Sequence, residues 1–528
     1  MQALERAIAQ RVPVEGLART SPLGGLRRRR VGAVDVAAQS VAAVAPAGVA
    51  LTNPSSVGHE AGAFAVLAVL TTVVVVVMLA ATVSVFARRI ASTGSLYTFA
   101  TRGLGRTGGI IAGTALALGY AGMAVGCLLD AARRATAMAT GSPADGHPWL
   151  VACFIVAFGA CVAVALLRGV RISTRVLLVI EILAVGTIAA VATIVFAAAG
   201  WNFAPLVPSF EHGVDLDAVL SGVAVGLVAF VGFESGAALG PEARRPLATV
   251  PRAIAWTVAA VCLSYLVGAS AQLVGAGALE APGGDPDAPR VALATLGESA
   301  GVSGIGPLVE VIVILSWLAC TLATTTALVR LAFAMSREGL LPAAFGRTSP
   351  HGAPTSGARR IALAVIAVPL LAVLIDGAAG LTDGVVDFVD HATETAGIIG
   401  YLLAYVLVAV AAPVFLGRIG EFRWTSVLPA GLTAAALGAT FVHYVAAVPA
   451  DRIAAAWCSI AAIGVASAFL ISRVRRRPDI AARLGLYDSP IATDTIGGRP
   501  RAGGGRPLGG GGRPLADGGR GRGRTGES

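Results

Sequence analysis

The 528-residue chain contains no lysine, so all 40 of its basic residues are arginine. This absence excludes a Schiff-base lysine and the lysine of a phosphate-binding P-loop, so we do not expect an ATP-driven pump with its motor on this chain. Catalytic and metal-binding motifs are also missing, because the six histidines include no HExxH and the six cysteines form no CxxC pair. We therefore expect no enzyme activity, no bound metal and no other cofactor.

Charged residues of either sign are scarce. They make up 13% of the chain, against 56% hydrophobic residues, whereas a soluble domain has about 25% charged residues. Residues 63–86 are 24 consecutive positions without a charge, enough to cross a hydrocarbon core of about 30 Å at about 1.5 Å per residue. The composition therefore predicts an all-α integral membrane protein.

The apolar pattern predicts about twelve transmembrane helices, which we number as spans 1 to 12. They lie near residues 32–52, 61–86, 107–129, 148–167, 173–199, 217–239, 251–277, 305–334, 360–377, 392–416, 425–447 and 451–472. Arginines are frequent in the loops on the side of the N-terminus and rare in the others, which is the pattern of the positive-inside rule. We therefore expect a multi-pass plasma-membrane protein with both termini in the cytoplasm.

The two ends of the chain differ from this central domain. Residues 1–30 are predicted to form a cytoplasmic N-terminal segment, residues 31–472 the transmembrane domain, and residues 473–528 a disordered cytoplasmic tail rich in Arg, Gly and Pro. Such a tail can bind nucleic acid or anionic lipid, but it has no aromatic residue after Tyr487 to stack on bases. We expect contact with the lipid bilayer and none with nucleic acid.

Two spans contain residues that break helices. In span 1, Pro46 removes a backbone N–H in mid-span and Gly48 follows it, although a simple proline kink is an equal alternative. In span 6, Gly232 and Gly236 flank a carboxylate, Glu234, in a segment that otherwise avoids charge. An ionisable residue within a membrane is a functional candidate, but this glutamate can also brace a neighbouring helix. The breaks lie five spans apart, the interval expected of two inverted five-helix repeats with a binding site between them.

Four stretches of the sequence resemble signatures of the amino acid–polyamine–organocation (APC) transporter superfamily. In the order that the family has, they are STGSLYTFATRGLG after span 2, RGVRISTRVLLVIEIL leading into span 5, GFESGAALGPEARRPLATVPRAI from span 6 to span 7, and AFAMSREGLLPAAFGRTSPHGAPTSG after span 8. Two stretches depart from the family's pattern. Residues 46–48 read Pro-Ala-Gly where many members have Gly-Ser-Gly, and the acidic pair after span 6 reads Pro-Glu. By these stretches the chain is identified as an amino acid permease-like member of the superfamily.

The resemblance implies a LeuT-like fold: an inverted 5+5 repeat with broken spans 1 and 6, plus two further helices. It also implies a substrate site between the two breaks, where free backbone groups suit a zwitterionic amino acid. The N–H groups at the start of a half-helix suit a carboxylate, and we place them at Ala47, Gly48 and Val49. Freed carbonyl groups suit an ammonium group, and in span 1 we place them at Val44 and Ala45, beside Pro46.

The site residues predicted in span 6 are Ala229, Phe230, Gly232 and Phe233. Residues 229–232 are expected to supply freed carbonyl groups. The two phenylalanines are expected to line or cover the pocket, and ordinary core packing is an equal alternative for both.

Glu234 is the predicted coupling residue, because a buried carboxyl group can take up a proton on one side of the membrane and release it on the other. Glu181 in span 5 is the second candidate for proton coupling. Sodium is the less expected ion, and its site would use span 8 hydroxyl groups that we interpret instead as donors between helices. The remaining polar candidates, which we expect to pair with neighbouring helices or to lie at an interface, are Glu310, His391 and Glu394.

We expect a secondary active transporter that moves amino acids or related amines by alternating access, as a proton-coupled symporter. An exchanger that swaps one amine for another is the alternative, and a transporter-like sensor that binds ligand without flux is a further one. The protein is expected to work as a monomer or a homodimer. The sequence leaves the identity of the amino acid or amine open.

Overall fold

The computed structural model describes residues 21, 25–26, 28–208, 213–279, 304–349, 354–380, 384–450 and 452–488. This part of the chain is helical apart from turns and two isolated backbone bridges, Val31–Ala243 and Ala91–Asp488. An apolar chain forms helices in a bilayer because a helix satisfies its own backbone N–H and C=O groups where no water can. The predicted all-α class is confirmed.

Each predicted span corresponds to one or two helices. Their bounds are Ala33–Val44 and Pro46–Ala61 for span 1, then Ala65–Ala87, Leu96–Thr140, Pro148–Arg168, Val170–Ala198, Leu216–Val228 with the 3-10 helix Ser235–Glu242 for span 6, Pro246–Leu279, Ile305–Arg337, Thr355–Ala379, Val385–Arg418, Trp424–Ala446 and Ile453–Arg476. Spans 1 and 6 are both interrupted near their middle, as predicted.

Ten helices of the described residues are long and apolar enough to cross a membrane. The first of these, Ala33–Ala87, has 55 residues, more than twice the length that a bilayer core requires. This stretch contains both span 1 and span 2. Gly62, with φ +52°, marks the turn between them. Neither half of span 6 is long enough to be counted among the ten, so the twelve predicted spans are all present.

Span 1 begins near Val31, beside the end of span 6, because Val31 and Ala243 form a backbone bridge. We call this face of the molecule the N face. Loops at the N face contact one another: Arg89 pairs with Glu421, and Arg418 donates to the carbonyl oxygen of Arg102 at 3.2 Å. The arginine-rich loops after spans 2 and 10 therefore share a face.

Span 3 is longer than the predicted range 107–129. Its helix runs over Leu96–Thr140 and changes direction at Gly105, which has φ +80° and ψ −166°. Residues 96–104 thus form a separate short helix of about two and a half turns before the membrane-crossing part begins. Glycine is suited to this position because it has no Cβ to oppose a positive φ.

Residues 477–488, which we call the C-terminal segment, follow span 12 along the N face. Leu486 donates its N–H to Glu338 at 2.8 Å, and Arg102 donates to the carbonyl oxygen of Gly485 at 3.0 Å. The sequence predicts a disordered tail from residue 473, whereas span 12 continues to Arg476 and these hydrogen bonds anchor the chain beyond it. The rest of the predicted tail, residues 489–528, and residues 1–20 of the predicted N-terminal segment lie outside the described residues.

Glu338 gives this anchor a pH dependence. Its second carboxylate oxygen accepts the hydroxyl group of Tyr97. Burial raises the pKa of Glu338 from 4.5 to about 7, while the hydrogen bonds from Tyr97 and Leu486 oppose the rise. Because the folded protein holds this proton more tightly than the unfolded chain, the group's contribution to stability is complete below about pH 4.5 and is lost as the pH rises through about 7. We expect the melting temperature of the wild type to fall more steeply between about pH 5 and pH 7 than that of Glu338→Gln. Parallel melting curves against pH would contradict this assignment.

A buried ion pair joins span 8 to the end of span 6. Glu242 accepts two hydrogen bonds from the Arg330 guanidinium group, at 3.1 and 2.8 Å, and neither side chain is more than 6% exposed. Glu242→Gln leaves the arginine charge buried without its counter-ion, and we expect a loss of about 3–5 kcal/mol in folding free energy. The control Glu421→Gln, in a more exposed pair, should cost about 1 kcal/mol or less. Melting of the purified proteins in detergent compares the two, and similar losses would refute the burial argument.

Candidate substrate and coupling site

The break in span 1 consists of one residue. Ala45 has left-handed backbone angles, φ +55° and ψ +64°, and its N–H turns back to the carbonyl oxygen of Ala42 at 3.2 Å. Pro46 is the first residue of the next half-helix, where its missing N–H costs no hydrogen bond. A left-handed alanine costs about 1–2 kcal/mol, so packing around the break must hold it. The break is therefore a helix end followed by a new helix start, and not a simple kink.

The second half of span 1 begins with unpaired backbone donors. The N–H groups of Ala47 and Gly48 have no hydrogen-bond partner in the described part of the chain, and both residues are buried. The N–H of Val49, predicted as a third donor, is occupied by the carbonyl oxygen of Ala45 at 2.9 Å. Of the two predicted acceptors, the carbonyl group of Ala45 is therefore occupied and that of Val44 is unpaired among the described residues. Free N–H groups at a helix N-terminus attract an anion.

The break in span 6 is longer and consists of turns over residues 229–234. The carbonyl groups that have no hydrogen-bond partner in the described residues of this turn region include those of Ala229, Phe230 and Val231. The carbonyl group of Gly232, predicted as a fourth acceptor, is occupied because the N–H of Ser235 donates to it at 2.9 Å. Unpaired carbonyl groups are tolerated at membrane depth only where they face protein or a water-filled cavity.

The two breaks pack directly against each other. Gly232 has φ +96° and lies so close to span 1 that a Cβ atom there would be 2.8 Å from the carbonyl oxygen of Ala43. Four residues later, the N–H of Gly236 donates to the hydroxyl group of Ser40 at 3.0 Å. The glycines that the sequence marks as helix breakers thus also permit the close approach of spans 1 and 6.

Glu234 is fully buried beside the break in span 6 and accepts two tyrosine hydroxyl groups. Its Oε1 accepts from Tyr120 of span 3 at 2.9 Å, and its Oε2 accepts from Tyr405 of span 10 at 2.6 Å. The hydroxyl group of Tyr405 also accepts the N–H of Gly232, at 3.2 Å. The carboxylate is therefore connected to two other spans and, through one tyrosine, to the backbone of its own break.

The sequence reasoning missed both tyrosines. They lie 114 and 171 residues from Glu234 along the chain, so no local motif joins them. The signal that could have found them is chemical, because a tyrosine inside an apolar span requires a partner for its hydroxyl group. Tyr401, one turn before Tyr405, has a buried hydroxyl group without a partner in the described residues.

Phe230 and Phe233 are both buried, at 2% and 1% exposure. Phe230 packs edge-on against Tyr265, with ring centres 5.1 Å apart, and Phe233 packs against Tyr405 at 5.8 Å. The two rings share the lining of an apolar cavity of only about 10 Å³. These contacts are those of core aromatic residues, and the predicted role as a pocket cover stays a prediction.

An apolar wall lies beside the break in span 1. It consists of side chains from spans 3 and 8 that pack with Ala45, namely Met123, Cys127, Trp317 and Cys320. Gly48 lies against the Trp317 ring, where a Cβ atom would be 2.8 Å from the nearest ring carbons. The wall presents sulfur-containing and aromatic side chains beside the break in span 1.

Glu181 lies away from this tyrosine network. Its side chain is buried, and neither carboxylate oxygen has a hydrogen-bond partner in the described part of the chain. The span 8 hydroxyl groups considered for sodium divide into two kinds. Those of Thr321 and Thr324 donate to carbonyl oxygens of their own helix, while those of Ser316 and Thr325 are buried without a partner among the described residues.

The other polar candidates do not meet at the breaks. Glu310 pairs with Arg134 at 3.2 Å, and Glu394 pairs with Arg452 at 3.0 Å, both near the face opposite the N face. These two pairings agree with the interface role expected for them. Among the described residues, no group of three or more His, Cys, Asp or Glu side chains is placed to hold a metal ion.

Comparison with known protein families identifies the family of this chain. The family described as "Amino acid permease" matches residues 35–416, which include both breaks and Glu234. The chain belongs to the amino acid permease family. Members of this family are transporters and not enzymes, and the resemblance to the APC superfamily is confirmed.

Two relatives of this permease carry the name "Branched-chain amino acid permease BcaP". The protein from Lactococcus lactis subsp. cremoris is 27% identical over 213 residues, which are 39% of this chain and 44% of the relative. The protein from Bacillus subtilis is 24% identical over 345 residues, which are 62% of this chain and 71% of the relative. The alignment thus spans less than half of the first relative.

The permease also has the fold of solved transporters. MhsT in complex with L-phenylalanine superposes with a TM-score of 0.51 at 16% identity, covering 77% of this chain and 98% of that one. A mutant of the Eremococcus coleocola manganese transporter superposes with a TM-score of 0.52 at 14% identity, covering 85% of this chain and 95% of that one. At such low identity the likeness concerns the fold alone, and it confirms the predicted LeuT-like architecture.

Proposed function

We propose that this permease is a proton-coupled symporter that carries aliphatic amino acids through the contact between spans 1 and 6. The observation that carries the proposal is the position of Glu234. A single buried carboxyl group touches the break of span 6 and is held by tyrosines of two other spans. An ionisable group inside a membrane costs free energy, so its presence there indicates a function.

In this proposal, backbone groups recognise the two groups that all amino acids share, the carboxylate and the ammonium group. The N–H groups of Ala47 and Gly48 would bind the carboxylate, and the carbonyl groups of Val44 and Ala229 would bind the ammonium group. The side chain would then contact the apolar wall defined above, which suits an aliphatic or aromatic residue. The names of the two relatives, as branched-chain amino acid permeases, support leucine, isoleucine and valine as first candidates.

Protonation of Glu234 would change the hydrogen bonds of the break. An ionised carboxylate accepts both tyrosine hydroxyl groups, whereas a protonated one gains a donor and loses acceptor capacity. One tyrosine must then accept the carboxyl O–H and turn its own O–H to another acceptor. Because Tyr405 also accepts the N–H of Gly232, such a reversal at Tyr405 changes the support of the span 6 backbone. This is the step by which a proton would alter the substrate site.

The proposal also includes an orientation and a location. We propose a plasma-membrane protein with a cytoplasmic N face, and the arginine-rich loops at this face support that orientation by the positive-inside rule. The outer end of the route would be the opposite face, where a cavity of about 380 Å³ lies between spans 1, 6, 10 and 11. Its lining includes Asn53, His59, Glu60 and His443.

Uptake into proteoliposomes tests the proposed function. Purified protein is supplied with radiolabelled leucine, isoleucine, valine, phenylalanine, arginine and putrescine, with and without an inward proton gradient. We expect the branched-chain amino acids to enter, and the gradient to increase their accumulation. Entry that requires an amine preloaded inside would indicate exchange, and absence of flux with ligand-dependent thermal stabilisation would indicate a sensor.

Tyr405→Phe should weaken transport while leaving the fold intact. The change removes one partner of Glu234 and the acceptor of the Gly232 N–H, and a buried polar group left unpaired costs about 1–3 kcal/mol. We expect gradient-driven uptake to fall by about tenfold or more. Tyr401→Phe is the matched control, because its hydroxyl group has no partner in the described residues. If the two variants behave alike in initial uptake rate, the hydrogen bonds of Tyr405 do not matter for transport.

A further inference from the structure

The C-terminal segment is bonded to both five-helix repeats of the fold at the N face. In the first repeat, the loop after span 2 provides two bonds: Ala91 accepts the N–H of Asp488 at 2.7 Å, and the hydroxyl group of Ser92 donates to the carbonyl oxygen of Leu486 at 3.2 Å. In the second repeat, Glu338 at the end of span 8 accepts the N–H of Leu486 at 2.8 Å. The segment therefore bridges the two halves of the transporter.

Asp488 also restrains the start of span 1 through an ion pair. Its two carboxylate oxygens accept Nε and Nη2 of Arg28, at 3.0 and 2.9 Å, and a guanidinium nitrogen of Arg29 lies 3.8 Å away. The side chains of Asp488 and Arg28 are 1% and 15% exposed, so salt screens the pair little. A paired, two-bond contact of this kind is directional as well as strong. Because Arg28 lies just before the helix that begins at Ala33, the pair holds that end of span 1 to the segment.

The segment is packed into the protein as well as hydrogen-bonded to it. Ile480 is 4% exposed and belongs to the main apolar core, and it lies so close to Gly339 that a Cβ atom there would be 3.4 Å from its side chain. Arg102 donates to the carbonyl oxygen of Gly485 at 3.0 Å, and its guanidinium group lies over the Tyr487 ring, 4.5 Å from the ring centre. The position of the segment is therefore fixed, and a relative movement of the repeats at the N face must break some of these contacts.

The first half of span 1 closes the way from the breaks to the N face by packing on span 8. Gln39 donates its side-chain N–H to the carbonyl oxygen of Ala323 at 2.7 Å, and the thiol group of Cys320 donates to the carbonyl oxygen of Ala43 at 3.2 Å. These two contacts join the first repeat to the second. In alternating access one repeat rocks against the other around the site, so a path to the N face requires this contact to open.

We propose that the C-terminal segment is part of the gate at the N face, and that Asp488 is its positioning residue. This inference rests on the proposed function, because only a transporter that works by alternating access needs such a gate. The segment holds the start of span 1 through Arg28 and the end of span 8 through Glu338, so the two repeats separate at the N face only when it releases one of them. The part of the chain that follows span 12 thereby sets how often the site opens to this face.

The native thiol group of Cys320 reports opening at the N face. It is fully buried under Ala43, and it is not part of the described lining of the cavity at the opposite face. The purified full-length protein is treated in detergent with a charged methanethiosulfonate reagent, and mass spectrometry follows the modification of Cys320. A buried thiol reacts only in the open form, so the rate follows the population of that form. In Asp488→Asn we expect a rise of about tenfold or more, because the charge that pairs with Arg28 is lost while the size and the backbone N–H are kept.

Three further substitutions separate gating from general damage. Asp479→Asn makes the same change of charge in the same segment, but at an exposed side chain, and should leave the reactivity of Cys320 at the wild-type level. Arg28→Gln breaks the ion pair from its other side and should raise that reactivity as Asp488→Asn does, so it decides the matter if Asp488→Asn does not fold. Ser221→Cys places a second reporter in the cavity of the opposite face, where the loss of Asp488 should not raise reactivity.

A rise at Cys320 alone, in both variants that break the ion pair, supports the gate. The proposal is overturned if Cys320 reacts equally fast in the wild type and in these variants. It is also overturned if both reporters react faster, because that pattern indicates a loosened structure and not a gate. The modification needs neither substrate nor a proton gradient, so a failure of this inference and a failure of the proposed symport are observed separately.

Discussion

Glu234→Gln removes the stimulation of uptake by an inward proton gradient and leaves the binding of amino acid in place. Glutamine has nearly the same shape and keeps an oxygen that accepts one tyrosine hydroxyl group, but it cannot take up or release a proton. Of the two hydrogen bonds to Glu234, at 2.9 and 2.6 Å, glutamine keeps the one to its amide oxygen. At the other position its amide N–H group meets a tyrosine O–H that also donates, so that hydroxyl group must turn away. We expect gradient-driven accumulation to fall to the level reached without a gradient, while substrate still raises the melting temperature.

Glu181→Gln is the matched control for this variant. Glu181 is also a buried membrane carboxyl group, but its oxygens have no hydrogen-bond partner in the described residues and it lies apart from the tyrosines. Under the proposal, this change should leave the response to the gradient unchanged. The opposite pattern, with loss in Glu181→Gln and retention in Glu234→Gln, would move proton coupling from span 6 to span 5.

Gly232→Ala should abolish transport. The residue has φ +96°, a conformation that costs an alanine about 1–2 kcal/mol, and the new Cβ atom would lie 2.8 Å from the carbonyl oxygen of Ala43. The conformational cost alone is worth a factor of about 5 to 30 in an equilibrium, and the clash forces spans 1 and 6 apart. Uptake of leucine and the melting temperature would both be measured. We expect the loss of uptake to be the larger effect.

Gly397→Ala is the control for the glycine prediction. Gly397 is a buried glycine within span 10, but an added Cβ would meet no heavy atom within 4 Å. Alanine also favours the helix over glycine by about 1 kcal/mol, so the control should be neutral or slightly stabilising. Near-normal uptake in Gly232→Ala, or equal losses in both variants, would mean that contact between the breaks is not needed.

The sequence was most informative where one residue carries its own structural consequence. Pro46 disfavours an unbroken helix, and Gly232 and Gly236 permit backbone angles and contacts that other residues resist. The two breaks could therefore be placed from these residues together with their spacing of five spans. Apolar length likewise placed the spans, since bilayer thickness fixes the number of residues that a helix needs. These predictions depend on local chemistry, and the structure agrees with them.

The sequence was less informative where distant residues meet. The partners of Glu234 come from spans 3 and 10, and their convergence depends on how those helices cross. The prediction of free carbonyl groups in span 6 was also only partly right. The turn after Gly232 uses that carbonyl group for the N–H of Ser235, and which groups a turn consumes depends on backbone angles that the sequence does not specify. The anchoring of the C-terminal segment by Glu338 is a third long-range feature of this kind.

The central claim is that one amino acid enters together with a proton, and the most direct measurement is of that proton. Proteoliposomes containing a trapped pH-sensitive dye start with equal pH on both sides, and leucine is added outside. We predict that the lumen of wild-type vesicles becomes acidic as leucine enters, and that vesicles with Glu234→Gln show no acidification. Leucine uptake by the wild type without any change in luminal pH would contradict the account.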